Sequence, residues 1–590
     1  MNILTLLLPA LILFFLGYRF YARYIAREIG ETENRPTPAV ERNDGVDYVP
    51  TRLPVLFAHH YATIAGAGPI IGPTLGLLYG VGPAWLWIVF GGIFFGAVHD
   101  YTSLFASIRE RGSSIAEIAR KALGNTGFFL FISFTCIMLI LVTSAFLSLT
   151  AISLTSLWPI DKLGLENGQT LLRTVAVEGE TMGVIGGIAS TSVIVITLIA
   201  PLMGYLIFRK ALRTTLSFLL AIAVCALSII VGFSLPVTLS GFTWMIILSI
   251  YVWIASGIPV WVVLQPRDFI NVQIMYIGLG AIILGVVVSG LSGGAVTHPI
   301  WSLSAGQAKM GPIWPILFIT IACGAISGFH SLVSGGTSSK QLARETQAKT
   351  VGYGAMILES ILAILVILAM SSALKYSDYM AIAWPDTGAG NPVLAFALAI
   401  GYLMHGSFGI PTAYGAIIGI LMVEGFVVTT LDSAVRLNRY VFEEIWNILF
   451  KSVPGLFRKF WFNSGIAVIL MFVLAVSNGY KLIWPVFGAS NQLLAALALI
   501  AVTAWLNLAG KKSWFTMIPA VIMIVTTIAS LIYYLFAHYL PSGNILLSIT
   551  DIVLLLLSGG VVIQTIRKSA FLRAVQKQSR SPHNLLNPNK

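Results

Sequence analysis

Apolar stretches separated by short polar gaps follow one another along the chain from Leu6 to Ile566. A helix needs about 20 apolar residues to cross the hydrocarbon core of a membrane, and these stretches recur at about that length. Their residues are continuously apolar, whereas the strands of a membrane β-barrel alternate apolar and polar side chains. The pattern therefore predicts an all-α polytopic membrane protein with about 15 transmembrane helices plus re-entrant or broken segments.

The composition agrees with this prediction. Of the 590 residues, 57% are hydrophobic and 10% are charged, whereas an ordinary soluble domain has about 25% charged residues. The formal net charge of +12 does not indicate nucleic-acid binding, because the Lys and Arg residues cluster beside the ends of the apolar stretches and not on one basic face. The cysteines Cys136, Cys225 and Cys323 lie singly inside apolar stretches, so no metal site or cofactor is predicted.

The basic clusters predict the orientation of the chain. Cytoplasmic loops carry the excess of Lys and Arg, and the clusters follow this rule when the N-terminus lies outside and the C-terminus lies on the cytoplasmic side of a bacterial inner (plasma) membrane. Residues 1–569 then form a single transmembrane domain, with a core at roughly 50–440 and C-terminal helices at roughly 461–566. Residues 570–590 are expected to be a polar cytoplasmic tail.

Two local features bear on this topology. The first span, Ile3 to Phe20, has no basic region before it and is followed by arginines, so we expect a retained helix and not a cleaved signal peptide. There are two apolar stretches between Asn391 and Leu431, but the charge rule requires an odd number of membrane crossings in this region. One of these two stretches is therefore expected to be re-entrant or broken.

Glycine and proline interrupt the apolar stretch from Leu53 to Leu78 at Gly66–Pro73 (GAGPIIGP). Proline removes a backbone donor and glycine permits unusual dihedral angles, so this segment is predicted to unwind the helix. Unwound backbone offers carbonyl groups to cations and a helix N-terminus to anions, as in the discontinuous helices of secondary transporters. The alternative is a helix that is only kinked, since Gly and Pro are frequent in membrane helices.

A second break is predicted at Ser327–Lys340 (SGFHSLVSGGTSSK), where polar side chains crowd the end of an apolar stretch. The alternative for this segment is a cytoplasmic turn. His405–Gly415 and Trp484–Leu497 are further candidate breaks. These segments supply the predicted substrate-binding residues, which are Gly66, Ala67, Gly68, Pro69, His330, Ser331, Ser334, Asn491 and Gln492.

Ionisable side chains inside spans are costly and often mark ion or substrate paths. His59 and His60 precede the first break, but adjacent helical residues point about 100° apart, so they are not expected to share a ligand. Each could pass protons or be a packed histidine. The candidate ion-coupling residues are His59, His60, Asp100, Glu359, Glu424, Thr429, Thr430, Asp432 and Ser433.

Alternative roles remain open for several of these residues. His99 and Asp100 end an apolar stretch and could simply lie at the cytoplasmic interface. Glu359 and Glu424 have no basic residue at helical spacing, so partners must come from other helices, and a structural role is equally open. Asp432 has the spacing for a helical ion pair with Arg436. The hydroxyl groups of Thr429, Thr430 and Ser433 could instead help to hold Na⁺.

Five of these segments together resemble the carbon starvation protein A family, bacterial inner-membrane proteins associated with uptake of peptides or pyruvate. The resemblance implies a carrier related to the amino acid-polyamine-organocation superfamily, with the LeuT-like fold of two inverted five-helix repeats. The matching segments are FAHHYATIAGAGPIIGP (Phe57–Pro73), GAVHDYTSLFASIRERG (Gly96–Gly112), SGFHSLVSGGTSSK, TTLDSAVRLNRY (Thr429–Tyr440) and WPVFGASNQLLAAL.

We therefore predict a secondary active transporter that imports peptides or pyruvate during carbon starvation, with coupling to H⁺. The alternatives are a Na⁺-coupled amino-acid carrier and a membrane sensor of nutrient status. The expected partners are a small-molecule substrate, the coupling ion and the lipid bilayer, with no nucleic acid. No enzyme activity is expected, because the chain contains neither of the motifs DDxxD and HExxH.

Overall fold

The structure is a computed structural model that describes residues 1–45, 47–166, 168–386 and 390–579, without the side chains of 478–482 and 568–579. The described residues form 23 α-helices and three short β-strands. The helices are α1 (Leu4–Leu16), α2 (Ala22–Ile29), α3 (Pro38–Glu41), α4 (Leu53–Ala65), α5 (Gly68–Gly76), α6 (Val81–Gly91), α7 (Ala97–Arg109), α8 (Ile115–Leu123), α9 (Asn125–Leu154), α10 (Gly186–Gly204), α11 (Thr214–Ser234), α12 (Gly241–Ala255), α13 (Leu264–Leu291), α14 (Leu303–Lys309), α15 (Ile313–Thr320), α16 (Phe329–Gly336), α17 (Ala355–Ala373), α18 (Tyr376–Ala383), α19 (Pro392–Phe408), α20 (Thr412–Leu449), α21 (Phe460–Leu508), α22 (Trp514–Tyr534) and α23 (Ile545–Ser579).

Short helical turns of other types extend several of these helices. The π-helical turns are Gly17–Tyr21, Gly92–Gly96, Tyr205–Arg209, Lys349–Gly354 and Leu535–Tyr539, and the 3₁₀ turns are Leu77–Tyr79, Ser338–Lys340, Glu345–Gln347 and Gly455–Arg458. Each π-helical turn joins or extends an α-helix, so α1 with α2, and α6 with α7, form continuous spans. Of the predicted tail, 570–579 continue α23, and 580–590 lie outside the described residues.

Within the described ranges, thirteen helical segments are long and apolar enough to cross a membrane. Two further segments add to these. The apolar helix α12 has 15 residues, and α15 and α16 together form one interrupted helix. The total of 15 candidate crossings confirms the predicted all-α membrane protein with about 15 spans. The segments are Leu4–Ile29, Leu53–Tyr79, Val81–Arg109, Asn125–Leu154, Gly186–Arg209, Thr214–Ser234, Leu264–Leu291, Glu345–Ala373, Thr412–Leu449, Phe460–Ser477, Ile483–Leu508, Trp514–Tyr539 and Ile545–Arg567.

Helix α19 accounts for the odd number of crossings expected between 391 and 431. Both apolar stretches are unbroken helices there, and α19 is joined to α20 by a short turn. The N-terminal end of α19 bonds to α18, from Asn391 N to Ile382 O at 2.8 Å. Near its other end, Tyr402 donates to Lys162 O and Ser407 donates to Gly285 O. These partners follow or lie near the C-terminal ends of α17, α9 and α13, and on these contacts we assign the predicted re-entrant stretch to α19.

The same side carries a three-stranded antiparallel sheet in the long acid-bearing loop after α9. Its strands are β1 (Leu157–Pro159), β2 (Thr174–Val177) and β3 (Glu180–Val184), in the order β1-β3-β2. β2 is fully exposed along its length. The sheet therefore lies outside the helical bundle, which agrees with the predicted position of this loop beyond the membrane.

The opposite side collects the basic segments. Arg109, at the end of α7, donates from Nε and Nη2 to the two carboxylate oxygens of Glu345 at 2.8 and 2.7 Å, and from Nη2 to Gly30 O at 2.7 Å. The carboxylate of Glu345 is fully buried. This bidentate pair joins the segment after α2 to the end of one other span and the start of another, and bidentate pairs are the stronger kind of ion pair.

Candidate functional site

The span Leu53–Tyr79 is interrupted at its centre, as predicted. α4 ends at Ala65 and α5 begins at Gly68. Gly66, between them, has φ +49° and ψ −148°, a conformation that L side chains rarely adopt. Thr430 donates to Thr63 O at 3.0 Å and so satisfies one of the carbonyl groups that the break frees. The first break is therefore held open by a side chain of α20.

The second interruption lies earlier than predicted. α15 ends at Thr320 and α16 begins at Phe329, so the break spans 321–328 and Phe329–Gly336 is helical. The prediction of a break over Ser327–Lys340 is wrong for most of that segment, because Phe329–Gly336 is helical and several hydroxyl groups bond locally within helical turns, as Ser331 does to Gly328 O. Of the other candidates, His405–Gly415 contains the end of α19, a turn at 409–411 and the start of α20, and Trp484–Leu497 lies within α21.

Asn491 and Gln492, both on α21, lie at this second break. Asn491 Oδ1 accepts from the backbone N–H of Phe329 at 2.9 Å, and its amide donates to Ser327 Oγ at 3.0 Å. The amide of Gln492 donates to Phe318 O at 2.5 Å, and Trp87 Nε1 donates to Ile321 O at 3.0 Å. Side chains of two other spans thus replace the helical hydrogen bonds that are lost at 321–328.

The two breaks meet. A Cβ atom added at Gly68 would lie 2.3 Å from the side chain of Cys323, and one at Gly72 would lie 2.7 Å from Thr320 O. Helix α5 therefore packs directly on the second break, and only residues without a side chain permit this approach. The predicted residues Gly66, Ala67, Gly68 and Pro69 are thereby brought beside Asn491, whose amide nitrogen lies 3.6 Å from Cys323 Sγ.

Four ionisable residues from three spans form a continuous buried series, which we call the acid–histidine chain: His99 and Asp100 on α7, His330 on α16 and Glu359 on α17. His99 Nδ1 and His330 Nδ1 each lie 2.7 Å from one oxygen of Asp100. His330 Nε2 lies 3.4 Å from Glu359 Oε2. All four side chains are 0% exposed, so the suggestion that His99 and Asp100 lie at the cytoplasmic interface is wrong.

The hydrogen bonds of this chain assign its protons. Because Asp100 accepts from both imidazoles, each histidine carries its proton on Nδ1 when neutral. His330 Nε2 is then an acceptor that faces Glu359. A protonated Glu359 can pass its proton to His330, and the resulting imidazolium is stabilised by Asp100. Carboxyl and imidazole groups in this order are suited to proton transfer.

A second buried group, the arginine cluster, is formed by His59, Arg267, Asp268 and Asp432. Arg267 lies 2.7 Å from Asp432 Oδ2 and 3.5 Å from Asp268 Oδ1. His59 Nδ1 lies 2.6 Å from Asp268 Oδ2. Tyr251 donates to Asp432 at 3.0 Å. The charge of Arg267 is therefore neutralised inside the bundle by carboxylates of α13 and α20, and His59 of α4 contacts one of these carboxylates.

This cluster corrects two expectations from the sequence. Asp432 does not pair with Arg436, four residues further along α20, because it pairs with Arg267. Arg436 instead donates to the carbonyl groups of Ala255 and Ile258 at the end of α12. Arg267 is a basic residue near the start of a span, where it was expected to mark the cytoplasmic side of the membrane. It is nevertheless only 1% exposed. Its position fits a structural charge pair and not a topology determinant.

The remaining candidate residues are distributed around these two groups. His60 Nδ1 lies 2.7 Å from Ser338 Oγ, so His59 and His60 contact different groups. Thr429 accepts from Arg267 at 3.0 Å. Glu424 is 2% exposed, and no ion pair to it is present among the described residues. Ser334 and Ser433 are fully buried, and within the described part of the chain their hydroxyl groups have no hydrogen-bond partner.

Sequence reasoning missed the roles of Arg267, Asp268 and His99. Arg267 and Asp268 are adjacent near the start of a span, a position typical of an interfacial charge pair. The signal that could have indicated their burial is their position after Leu264, within a helix that remains apolar up to Leu291. His99 was identified beside Asp100 but was not included among the coupling residues.

The chain is similar to one family model and to several named transporters. The family model described as "Carbon starvation protein CstA" matches residues 2–391 and 387–530. A peptide transporter CstA of Campylobacter jejuni is 30% identical over 584 residues, which cover 89% of this chain and 79% of the relative. That of Bacillus subtilis is 29% identical, covering 97% of each chain. The pyruvate/proton symporter BtsT of Escherichia coli is 29% identical, covering 89% of this chain and 80% of the relative.

Among solved structures, a mutant of the Eremococcus coleocola manganese transporter aligns with this chain at a TM-score of 0.49 and 11% identity. The alignment covers 89% of this chain and 98% of that one. At this similarity the arrangement in two inverted repeats, which the family resemblance implied, stays a prediction.

Proposed function

Because the chain belongs to the carbon starvation protein CstA family, we propose that it is a secondary active transporter that imports a peptide or pyruvate together with protons. One relative is named a pyruvate/proton symporter and others are named peptide transporters. The observation that carries the proposal is the fully buried acid–histidine chain, in which Asp100 is hydrogen-bonded to His99 and His330, and Glu359 lies 3.4 Å from His330 without a hydrogen bond between them.

The substrate site of this proposal is the meeting point of the two breaks. Peptides and pyruvate both carry a carboxylate, and a helix N-terminus attracts a negative charge. Helices α5 and α16 both begin at a break. His330 lies in the first turn of α16 and belongs to the acid–histidine chain. A change in its protonation therefore alters the charge beside the substrate site, which is the physical link between proton and substrate binding.

The proton is favoured over Na⁺ as the coupling ion by the contacts of the threonine-rich segment of α20. The hydroxyl of Thr429 accepts a hydrogen bond from Arg267, and Asp432 pairs with the same guanidinium. A cation bound to these oxygens would lie beside a permanent positive charge, and like charges at short distance repel. Thr429 and Asp432 are therefore disfavoured as Na⁺ ligands in this arrangement.

The location in this proposal is the bacterial plasma membrane, with the N-terminus and the three-stranded sheet outside and the end of α23 in the cytoplasm. The side of the bundle with Arg109, Lys340 and Arg439 collects basic residues, and cytoplasmic loops carry the excess of Lys and Arg. The acid-bearing loop after α9 lies on the other side.

Uptake by purified protein in proteoliposomes tests the proposal. Labelled pyruvate and labelled alanyl-alanine are each offered with an inward proton gradient, with an inward sodium gradient and with neither. We expect the proton gradient to stimulate uptake of one of the two solutes. If only the sodium gradient stimulates uptake, the coupling ion in the proposal would be Na⁺ and not H⁺. Uptake of neither solute under any gradient would contradict transport of these substrates and would favour a sensor.

A further inference from the structure

A cavity of about 180 Å³ lies on the basic side of the bundle, between the start of α8, the middle of α9, the end of α16 and the C-terminal part of α20. Its wall includes Ser114, Thr135, Leu332, Lys340, Tyr440 and Glu444. None of the residues of the acid–histidine chain or of the arginine cluster lines it. The cavity is therefore separate from the meeting point of the two breaks. Helix α16 nevertheless contributes residues to each of these two places.

The wall of this cavity holds a lysine and a glutamate that do not pair with each other. Lys340 and Glu444 both line it, and among the described residues no ion pair within 4 Å joins them. The ammonium group of Lys340 lies 4.9 Å from the centre of the Tyr440 ring and 5.5 Å from that of Tyr48. A third charged group at the wall, Glu117, is paired with Arg120 at 2.9 Å.

The cavity also exposes a buried hydroxyl without a partner. Thr135 is 1% exposed, and within the described residues its Oγ1 has no hydrogen-bond partner. Such a group costs free energy unless something bonds to it. The remaining wall is largely aliphatic, with Leu139, Leu332 and Leu437. The wall thus combines a positive group, a negative group, a free hydroxyl and an apolar surface.

We infer that this cavity is a second binding site, on the cytoplasmic side, for a small zwitterion of the amino-acid or dipeptide class. Lys340 binds the carboxylate, Glu444 binds the ammonium group, Thr135 bonds a polar group of the ligand and the leucines contact its side chain. A monoanion such as pyruvate satisfies Lys340 only and leaves Glu444 facing a like charge. The inference rests on the proposed function, since the ligand would be substrate about to leave toward the cytoplasm.

Equilibrium binding of labelled alanyl-alanine to the purified full chain tests this inference. We expect two binding sites, one of which weakens by roughly tenfold or more in K340Q and in E444Q, because each variant leaves one charge of the ligand unpaired. The double variant K340E/E444K keeps both charges in exchanged positions and is expected to regain most of the lost affinity. The matched controls E443Q and K451Q change neighbouring charges that do not line the cavity and should bind like the unaltered chain.

Three outcomes would overturn the inference. A single site unaffected by K340Q and E444Q would remove the cavity as a binding site. Pyruvate binding that is lost in K340Q and strengthened in E444Q would make it an anion site. Folded K340Q and E444Q proteins that differ from the controls only in stability would make both residues structural. Gradient-driven uptake is measured separately in proteoliposomes, so failure of the proposed function is distinguishable from failure of this site.

Discussion

Arg267 shows how a single residue limits where proton transfer can occur. An arginine keeps its charge at all physiological pH values, and its burial is compensated by Asp268 and Asp432. The arginine cluster therefore has a fixed positive centre. The acid–histidine chain has no such fixed charge, because Glu359, His330, Asp100 and His99 can each gain or lose a proton.

The variant E359Q keeps the shape of the side chain and removes the exchangeable proton. We expect it to abolish the stimulation of uptake by a proton gradient and to retain exchange of labelled for unlabelled substrate, which needs no net proton movement. Counterflow in proteoliposomes measures the second activity. E424Q is the comparison, because Glu424 is also a buried carboxyl group in a span. If E424Q loses gradient-driven uptake and E359Q keeps it, the residue that couples proton movement to transport is Glu424 on α20 and not Glu359.

Glu31, half-buried after α2, introduces a pH dependence of stability. Burial, together with the nearby charge of Glu345, raises its pKa from 4.5 to about 7. Between these two values the folded chain binds a proton that the unfolded chain has lost, so the free energy of unfolding decreases as pH rises through this range. Below pH 4.5 both states are protonated and the penalty is absent.

The variant E31Q removes this ionisation. We expect its melting temperature to fall less than that of the unaltered chain between pH 5 and pH 7.5, measured by thermal unfolding in detergent. The control is E33Q, which changes an exposed carboxylate two residues further along and should keep the original pH profile. Equal pH profiles of E31Q and the unaltered chain would show that Glu31 is ionised in the folded protein.

At the scale of helices, the two interruptions depend on residues that have no side chain. Gly66 has a positive φ, and a Cβ atom there would meet Thr430 Oγ1 at 3.0 Å and the Phe146 ring at 3.2 Å. The same hydroxyl holds the break by its bond to Thr63 O. Backbone conformation and side-chain packing therefore both select glycine at this position.

G66A is expected to reduce uptake strongly, by at least about tenfold, because it costs of order 1–3 kcal/mol in backbone strain at the proposed substrate site. G280A in α13 is the matched control, since a Cβ atom added at Gly280 meets nothing within 4 Å. Both variants are compared by uptake per folded protein, with size-exclusion chromatography as the check on folding. Normal uptake by G66A would show that the break tolerates a side chain and does not bind substrate through its backbone.

Sequence patterns predicted the helices of this protein well and their contacts poorly. Gly66–Pro73 marked the first break because glycine and proline act locally. The second break was misplaced, because 321–328 (IACGAISG) is largely apolar and is held open by Asn491 and Trp87, far away in the sequence. The pair Arg267–Asp432 joins residues of different helices and has no local pattern, whereas Asp432 and Arg436 had the helical spacing and are not paired.

At the scale of the whole molecule, the opposite characters of the two ends predict which face of the bundle lies outside. Thr174 is exposed on the acid-bearing side, and Ser452 is exposed on the basic side. In cells producing T174C or S452C, a membrane-impermeant maleimide should label T174C in intact cells and S452C only after permeabilisation. The native cysteines are buried or partly buried, and the unaltered chain measures their background. The reverse labelling pattern would invert the proposed orientation.

The buried position of the acid–histidine chain also determines how membrane voltage acts on transport. A proton that enters this chain from outside and leaves toward the cytoplasm passes through the whole membrane potential. With one proton per zwitterion, each cycle moves one positive charge inward and gains about 2.3 kcal/mol per 100 mV. With one proton per pyruvate anion, the charges cancel and voltage contributes nothing. A potential that is negative inside would therefore concentrate peptides in the cell, whereas pyruvate would respond to the pH difference alone.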